Sequence, residues 1–468
     1  MSKTLPEAWR DTVRRDPSGT ALIEAATGVR FTFQKMEDRA EAWAREHGES
    51  GERLKGSCVL FSEPNGIRWF DILLGLVKLG AIPVPLDSGE PADSQRRLAT
   101  ALRAAARWDG HRVVPVERNN QRPRRFRSPG ACLIKLTSGS TGAPRPLLFS
   151  HRQLIADASQ VMTTMGITRG DLNYALIPFG HSYGLGNLSL PLILAGVPAI
   201  CGSSPLPHAI AADFATWQPT VFPSVPAIFR ALVSTEDVTL RSLRLAISAG
   251  APLSVETALA FRQRFGRYIH SFYGSSETGG ISYDRDGLAT LEGSVGTALN
   301  GVTVSLLGKD RLKVSSAAVI TAGNRLRQGG HAAWLMADRV QLGADQRIRL
   351  RGRRGTLVKI AGRRVALAEV TTALRRVPGV DDAWVGAGGR AETVLAAAVA
   401  SRRTIPELRQ ALASELPSWK IPKKWLVLPA LPQTERGKTD TRALNAALFP
   451  TQEGEGHGVR PEWRLDKA

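Results

Sequence analysis

Cysteine is scarce in this chain: Cys58, Cys132 and Cys201 are the only three in 468 residues, far apart, with no CxxC pair and no paired histidine nearby. That pattern excludes a disulfide framework and a zinc site, and leaves three small apolar side chains expected in the core. Long apolar runs are missing too. Met1 to Asp11 lacks the apolar core of a signal peptide, and no uninterrupted stretch is long and clean enough for a membrane helix. The expectation is a protein with no transmembrane segment and a cytoplasmic location. Acid is the other shortage. Asp171 and Asp213 bracket forty-one residues without a single Asp, Glu, Lys or Arg, and Pro178, Pro191, Pro198, Pro205 and Pro207 interrupt that stretch, so it reads as buried core.

What remains is a folded, multidomain composition. Hydrophobic residues make up 43% and charged residues 22%, too apolar for disorder to dominate, and 468 residues exceed what one core usually organises. Sixty-two Lys and Arg against forty-two Asp and Glu leave a net charge of +20, a field that attracts phosphates or acidic partners. Specific nucleic-acid binding is disfavoured, because the basic residues are dispersed and no zinc-finger, RNP or basic-zipper pattern is present. The densest basic stretch, RNNQRPRRFR at 118–127, has no periodicity and reads as a loop.

From Thr20 onward, short β-rich runs alternate with helical ones: GSCVLFS at 56–62, an apolar helix around Trp69 to Leu79, AIPVPLD at 81–87. Such alternation predicts an α/β fold with layered, mostly parallel sheets flanked by helices in a large N-terminal domain, residues 1–351. After Arg351 the texture changes to a basic hairpin, a helix at 367–376, a strand near Ala383 and a helix near Pro406 to Glu415, which predicts a small α+β domain over 352–450. Residues 451–468, rich in Gly and charge, read as a flexible tail.

The first chemical signal is LTSGSTGAPRP, Leu136 to Pro146, after the strand-like ACLIKL. Glycines admit close approach of an anion and Ser or Thr adds hydroxyl donors, so such a loop suits phosphate. It is not a Walker loop, because no G-K-[ST] closes it.

Five further segments follow in order: SAGAPL at 248–253, SFYGSSETGG at 271–280, Asp338, GRRGTLVKIAGRRV at 352–365 and PQTERGKTDTRAL at 432–444. Together with the loop and the FTFQKMEDRA segment at 31–40, this series resembles the adenylate-forming superfamily of acyl- and aryl-CoA synthetases, peptide-synthetase adenylation domains and luciferases. The resemblance spans nearly the whole chain. It implies ATP-dependent activation of a carboxylic acid with Mg2+, in which Thr137, Ser138, Gly139, Ser140, Thr141 and Gly142 hold the β- and γ-phosphates. Glu277 would bind Mg2+ and Thr278 the α-phosphate. Gly250, Ala251, Pro252 and Tyr273, with Gly274 and Ser275, would enclose adenine, while Asp338 and Arg353 would meet the ribose. Lys438 would bridge the acyl carboxylate and the nucleotide.

In this superfamily the small domain is mobile. It rotates between two half-reactions, and Gly362 would line the tunnel for a pantetheine thiol. The acceptor that the resemblance implies would be coenzyme A, with the phosphopantetheine of an acidic acyl-carrier protein as the alternative. Three positions depart from the usual pattern: Arg145-Pro146 stands where Lys-Gly is common, Met336-Ala337 precedes Asp338 in place of Thr-Gly, and Thr356 occupies an often acidic hinge site. These departures motivate a competing reading as a non-catalytic nucleotide- or acyl-binding homologue, against which the retention of Glu277 and Lys438 stands. Pro178 to Gly184, containing His181, Ser182 and Gly184, matches the acyl-pocket segment and carries no acidic partner for an α-ammonium. An aliphatic or aromatic acid is therefore expected over a free amino acid.

Overall fold

The computed structural model describes residues 3–48, 54–116, 122–126, 128, 130–137, 145–321, 326–353, 357–360, 363–388, 394–416, 418–434 and 437–450. Its contacts divide the chain into two units. The first comprises Met1–Leu306, Lys313–Leu335 and Leu342–Ile348; the second comprises Leu307–Leu312, Met336–Gln341 and Arg349–Ala468.

A nine-stranded sheet forms the backbone of the first unit, in the order 297–298, 279–283, 269–275, 245–248, 221–224, 173–175, 199–201, 20–24, 29–32. The six strands from 269–275 through 20–24 run parallel, and the strands beyond them pair antiparallel. Helices Pro207–Trp217, Pro226–Ser234 and Val255–Phe265 link successive parallel strands, as a parallel sheet requires of its crossovers. Two of these helices begin with proline, whose missing N–H is an orphan donor at a helix start anyway. Edge-on aromatic pairs run through the core beneath them: Phe214 with Phe222, Phe222 with Phe229, and Phe229 with Phe261, at centroid separations of 5.7, 5.5 and 5.4 Å. Each such ring contributes about 1.5–3 kcal/mol by burial.

The second sheet places Ile82–Leu86 at its edge beside Cys58–Ser62. Pro83 and Pro85 lie two apart in that edge strand, so both missing donors fall on the same side, and a proline-containing run still makes a strand there. Strand Arg145–Ser150 passes directly into helix His151–Met165. Ser150 caps that helix by accepting from Gln153 N, Gln153 returns the bond, and Gly166 closes it in the left-handed conformation.

In the second unit, Val380–Gly388 pairs antiparallel with Val394–Ser401, which pairs parallel with Lys424–Leu428. Helices Leu367–Arg376 and Ile405–Glu415 pack a core of Val370, Leu374, Leu408 and Leu412 against the first face of this sheet. Helix Thr441–Leu448 covers the other through Leu444 and Leu448. This is the α+β arrangement that the change of texture after Arg351 predicts. Among the described residues no helix is long and apolar enough to cross a membrane. All three cysteines are buried and free.

Candidate active site

Three neighbouring parallel strands, Val221–Ser224, Leu245–Ser248 and Ile269–Ser275, lie side by side, and the first two end at the level of Ser271, with Ser224 beside Ser248 and Ser248 beside Ser271. The carboxyl ends of parallel strands are where α/β sheets present ligand-binding loops. Gly250, Ala251 and Pro252 form the exposed loop after the middle strand. Tyr273, Gly274 and Ser275 continue the third strand past that level. The structure thus brings the SAGAPL and SFYGSSETGG segments to one edge of one sheet.

Ser276, Glu277 and Thr278 make the short connection of the hairpin formed by Ile269–Ser275 and Gly279–Tyr283. Its sequence follows from its geometry. A Cβ on Gly274 would lie 2.6 Å from the Gly279 carbonyl oxygen, and Gly279 itself has φ +72°. The ladder shifts register between Tyr273 and Gly274, an irregularity of the kind that re-aims side chains near functional sites. Thr278 is buried, with Oγ1 3.0 Å from Ser275 Oγ and donating to the Gly279 carbonyl at 3.1 Å. The Glu277 carbonyl accepts from Ile320 N at 2.9 Å, which fixes the backbone while the carboxylate remains half-buried.

The acyl-pocket segment reaches the same hairpin. Asn65 donates to the Ile177 carbonyl and accepts from Phe179 N, both at 2.8 Å, pinning the approach to His181. His181 caps the short helix Ser182–Gly184, accepting from Tyr183 N at 3.4 Å. Ser182 then donates to Ser276 Oγ at 3.0 Å. Gly184 is fixed by packing: a Cβ there would fall 2.1 Å from the Pro178 carbonyl oxygen. The chain continues as a buried π-helical turn, Leu185–Ser189, a distortion often found at functional sites.

Thr137 ends strand Ala131–Thr137 and donates through Oγ1 to the Arg145 carbonyl at 3.4 Å. The Arg145 guanidinium stands over the Trp334 ring, 5.7 Å from its centroid. Ser138, Gly139, Ser140, Thr141 and Gly142 lie outside the described residues, as do Thr356 and Gly362. Asp338 is half-buried in strand His331–Leu342, and its neighbour Arg339 donates through Nε to Asp310 at 2.5 Å. Arg353 ends strand Ile348–Arg353, and its side chain is outside the described set. Lys438 is exposed in a loop that Thr434 closes by donating its N–H to the Lys438 carbonyl at 2.7 Å. Asp338, Arg353 and Lys438 all belong to the second unit, whereas the Gly250, Tyr273 and Glu277 group belongs to the first.

The motifs assign no role to Lys135, Asp157 or Ser276; the fold places Ser276 in the hairpin connection and Asp157 against the hairpin through the Gly280 N–H. Lys135 and Asp157 are almost fully buried. Burial pushes the Lys135 ammonium pKa down, against the attraction of Asp157 and, more weakly, Cys132 and Glu277. Burial likewise raises the Asp157 carboxyl, against Lys135 and the Gly280 N–H. The available signal was one charged residue inside each of two apolar runs, LIKL and LIADA.

The strand ends, the Ser/Thr/Gly-rich sequence at 136–146 and the separate C-terminal unit together point to the class of adenylate-forming enzymes. Residues 100–320 match the family described as AMP-binding enzyme, and residues 369–438 match the AMP-binding enzyme C-terminal domain. The two matches span more than half of the sequence, and the chain belongs to this superfamily. Among curated proteins it is 28% identical to anthranilate–CoA ligase of Pseudomonas aeruginosa, over 66% of this chain and 65% of that one. It is 27% identical to peroxisomal OPC-8:0-CoA ligase 1 of Arabidopsis thaliana, over 57% of this chain and 56% of the relative. The chain thus spans less than two thirds of the length of these two relatives. A solved structure titled as Klebsiella oxytoca NpsA in complex with 3-hydroxyanthranilyl-AMSN superposes with TM-score 0.81 at 21% identity, covering 96% of this chain and all of that one.

Proposed function

We propose that this protein activates a carboxylic acid with ATP, releasing pyrophosphate and forming an acyl-adenylate, and then transfers the acyl group to the thiol of coenzyme A. The observation that carries this reading is the convergence of Gly250–Pro252, Tyr273–Thr278 and His181–Ser182 at one sheet edge, through the paired strand ends and the 3.0 Å bond from Ser182 to Ser276.

Each residue has a chemical task. Tyr273 and the 250–252 loop offer an aromatic face and a flat backbone for adenine. Thr278 offers its hydroxyl and backbone to the α-phosphate, where charge develops as the acid's carboxylate attacks. Glu277 with the neighbouring hydroxyls is a hard oxygen set that suits Mg2+, an ion usually held by one or two carboxylates plus phosphates. When bound, Mg2+ neutralises charge on the phosphate oxygens. Thr137 and residues 138–142 would receive the leaving pyrophosphate, Asp338 and Arg353 the ribose. Lys438 would bring a cation to the reacting carboxylate.

The acid is aliphatic or aromatic. The two carboxylates that bracket the pocket segment in sequence are already committed: Asp213 accepts from Tyr174 Oη at 2.6 Å and from Ser203 N and Oγ at 2.9 Å each. Asp171 is held by Arg244, Thr168 and Thr220. Neither is left to pair an α-ammonium. A pyrophosphate-release screen across fatty, aryl and short-chain acids identifies the substrate. Thioester assays with free coenzyme A and with holo-carrier protein then identify the acceptor. Product with carrier alone would replace the coenzyme A half of this reading.

A further inference from the structure

Two buried charges outside the adenylate-forming motifs flank the candidate site. Lys135 is 3% exposed on strand Ala131–Thr137, three residues before the 138–144 segment, with its ammonium 4.5 Å from the Phe149 ring centroid. Asp157 is 4% exposed on helix His151–Met165, which continues from the partner strand of the same hairpin. Asp157 Oδ1 accepts the Gly280 N–H at 2.9 Å, immediately after Glu277, Thr278 and Gly279. The fit is tight: a Cβ on Gly279 would lie 2.2 Å from Asp157 Oδ1, and one on Gly186 3.3 Å from Oδ2. Gly280 lies where the ladder has shifted register, so the carboxylate takes over a backbone donor next to a strand irregularity. Neither charge is tolerable in such a place without the other, because an isolated buried ion loses its hydration with nothing to replace it. Asp157 exerts the strongest attraction on Lys135, and Lys135 is the attractive charge acting on Asp157.

We propose that Lys135 and Asp157 are a positioning pair that fixes the Glu277–Gly280 turn against strand Ala131–Thr137. Neither touches substrate. Asp157 holds the turn through the Gly280 N–H, and the attraction of Lys135 opposes the penalty that burial places on its carboxylate. The catalytic consequence rests on the function proposed above; the structural consequence does not.

Three variants of the full chain test this by amide hydrogen exchange over 277–283, thermal melting and acid-dependent pyrophosphate release. Asp157→Asn alone leaves Lys135 unpaired and lowers the melting temperature. Lys135→Met with Asp157→Asn removes both charges but keeps an acceptor for Gly280, and restores both melting and exchange protection. Lys135→Met with Asp157→Ala also removes both charges but deletes the acceptor. The Gly280 amide then exchanges about ten-fold faster, and kcat falls about ten-fold with little change in KM for the acid, because a displaced turn misplaces reacting groups without removing the acid's contacts. Recovery of most of that loss in the Asn-containing double variant supports positioning. Wild-type exchange and wild-type kcat in the Ala-containing double variant would overturn it. If the unmodified protein releases no pyrophosphate with any acid, the functional reading fails, and the exchange measurement still decides the pair.

Discussion

Ser182 donates a hydrogen bond to Ser276 across 3.0 Å, joining the first turn of the short pocket helix to the connection that carries Glu277. The two residues are 94 positions apart. This contact ties the segment expected to meet the acid to the segment expected to meet the phosphate. Ser276→Ala therefore raises KM for the acid about five-fold, the worth of one ordinary hydrogen bond, with a melting temperature close to wild type. Steady-state kinetics of pyrophosphate release check this.

The hairpin tolerates no side chain at its glycines. Gly279→Ala combines a positive φ with a Cβ 2.2 Å from Asp157 Oδ1, and costs about 2–3 kcal/mol of stability through strain and overpacking. Gly274→Ala meets the Gly279 carbonyl oxygen at 2.6 Å and distorts the same turn. Urea denaturation gives the stability loss, and pyrophosphate release should fall in both variants.

Asp284 gives the stability a defined pH dependence. Burial, followed by the neighbouring Asp286, pushes its carboxyl up to about 6, although Gly287 N and Ala289 N both donate to it. A carboxyl that binds its proton more tightly in the folded state than in the unfolded chain, where its pKa is about 3.9, makes stability fall as pH rises between those two values. Above about pH 6 the effect is complete. Melting temperatures between pH 4 and 7 should show this downward contribution, and Asp284→Asn should flatten it.

The three thiols are inert in the folded protein. Burial pushes the Cys58 thiol up to about 11 and raises Cys132 and Cys201 further. Thiol-reactive dyes should label none of them until the chain is unfolded, and reducing agents should leave activity unchanged.

The fold was legible in the sequence wherever local pattern and burial agree. Ile82–Leu86 and Leu367–Arg376 are visible from β-branched content and helical periodicity, because their partners lie next to them in the sheet or the small core. The candidate site was legible only as motif. Gly274 and Gly279 announce themselves in YGSSETGG, and the structure supplies the reason, the closeness of the two hairpin strands. Ser276, Lys135 and Asp157 could not be assigned roles from sequence. A hydrogen bond to residue 182 or 280 is fixed by tertiary packing, and neither periodicity nor spacing carries it. Arg145 stands over Trp334 by the same kind of long-range contact.

The measurement that tests the account most directly is acid-dependent release of pyrophosphate from ATP by the unmodified protein and by Glu277→Ala and Lys438→Ala. The account predicts release that requires both the acid and Mg2+, reduced about 10²–10³-fold in each variant, as expected for loss of a group that stabilises developing charge. Release at the unmodified rate in both variants would contradict it.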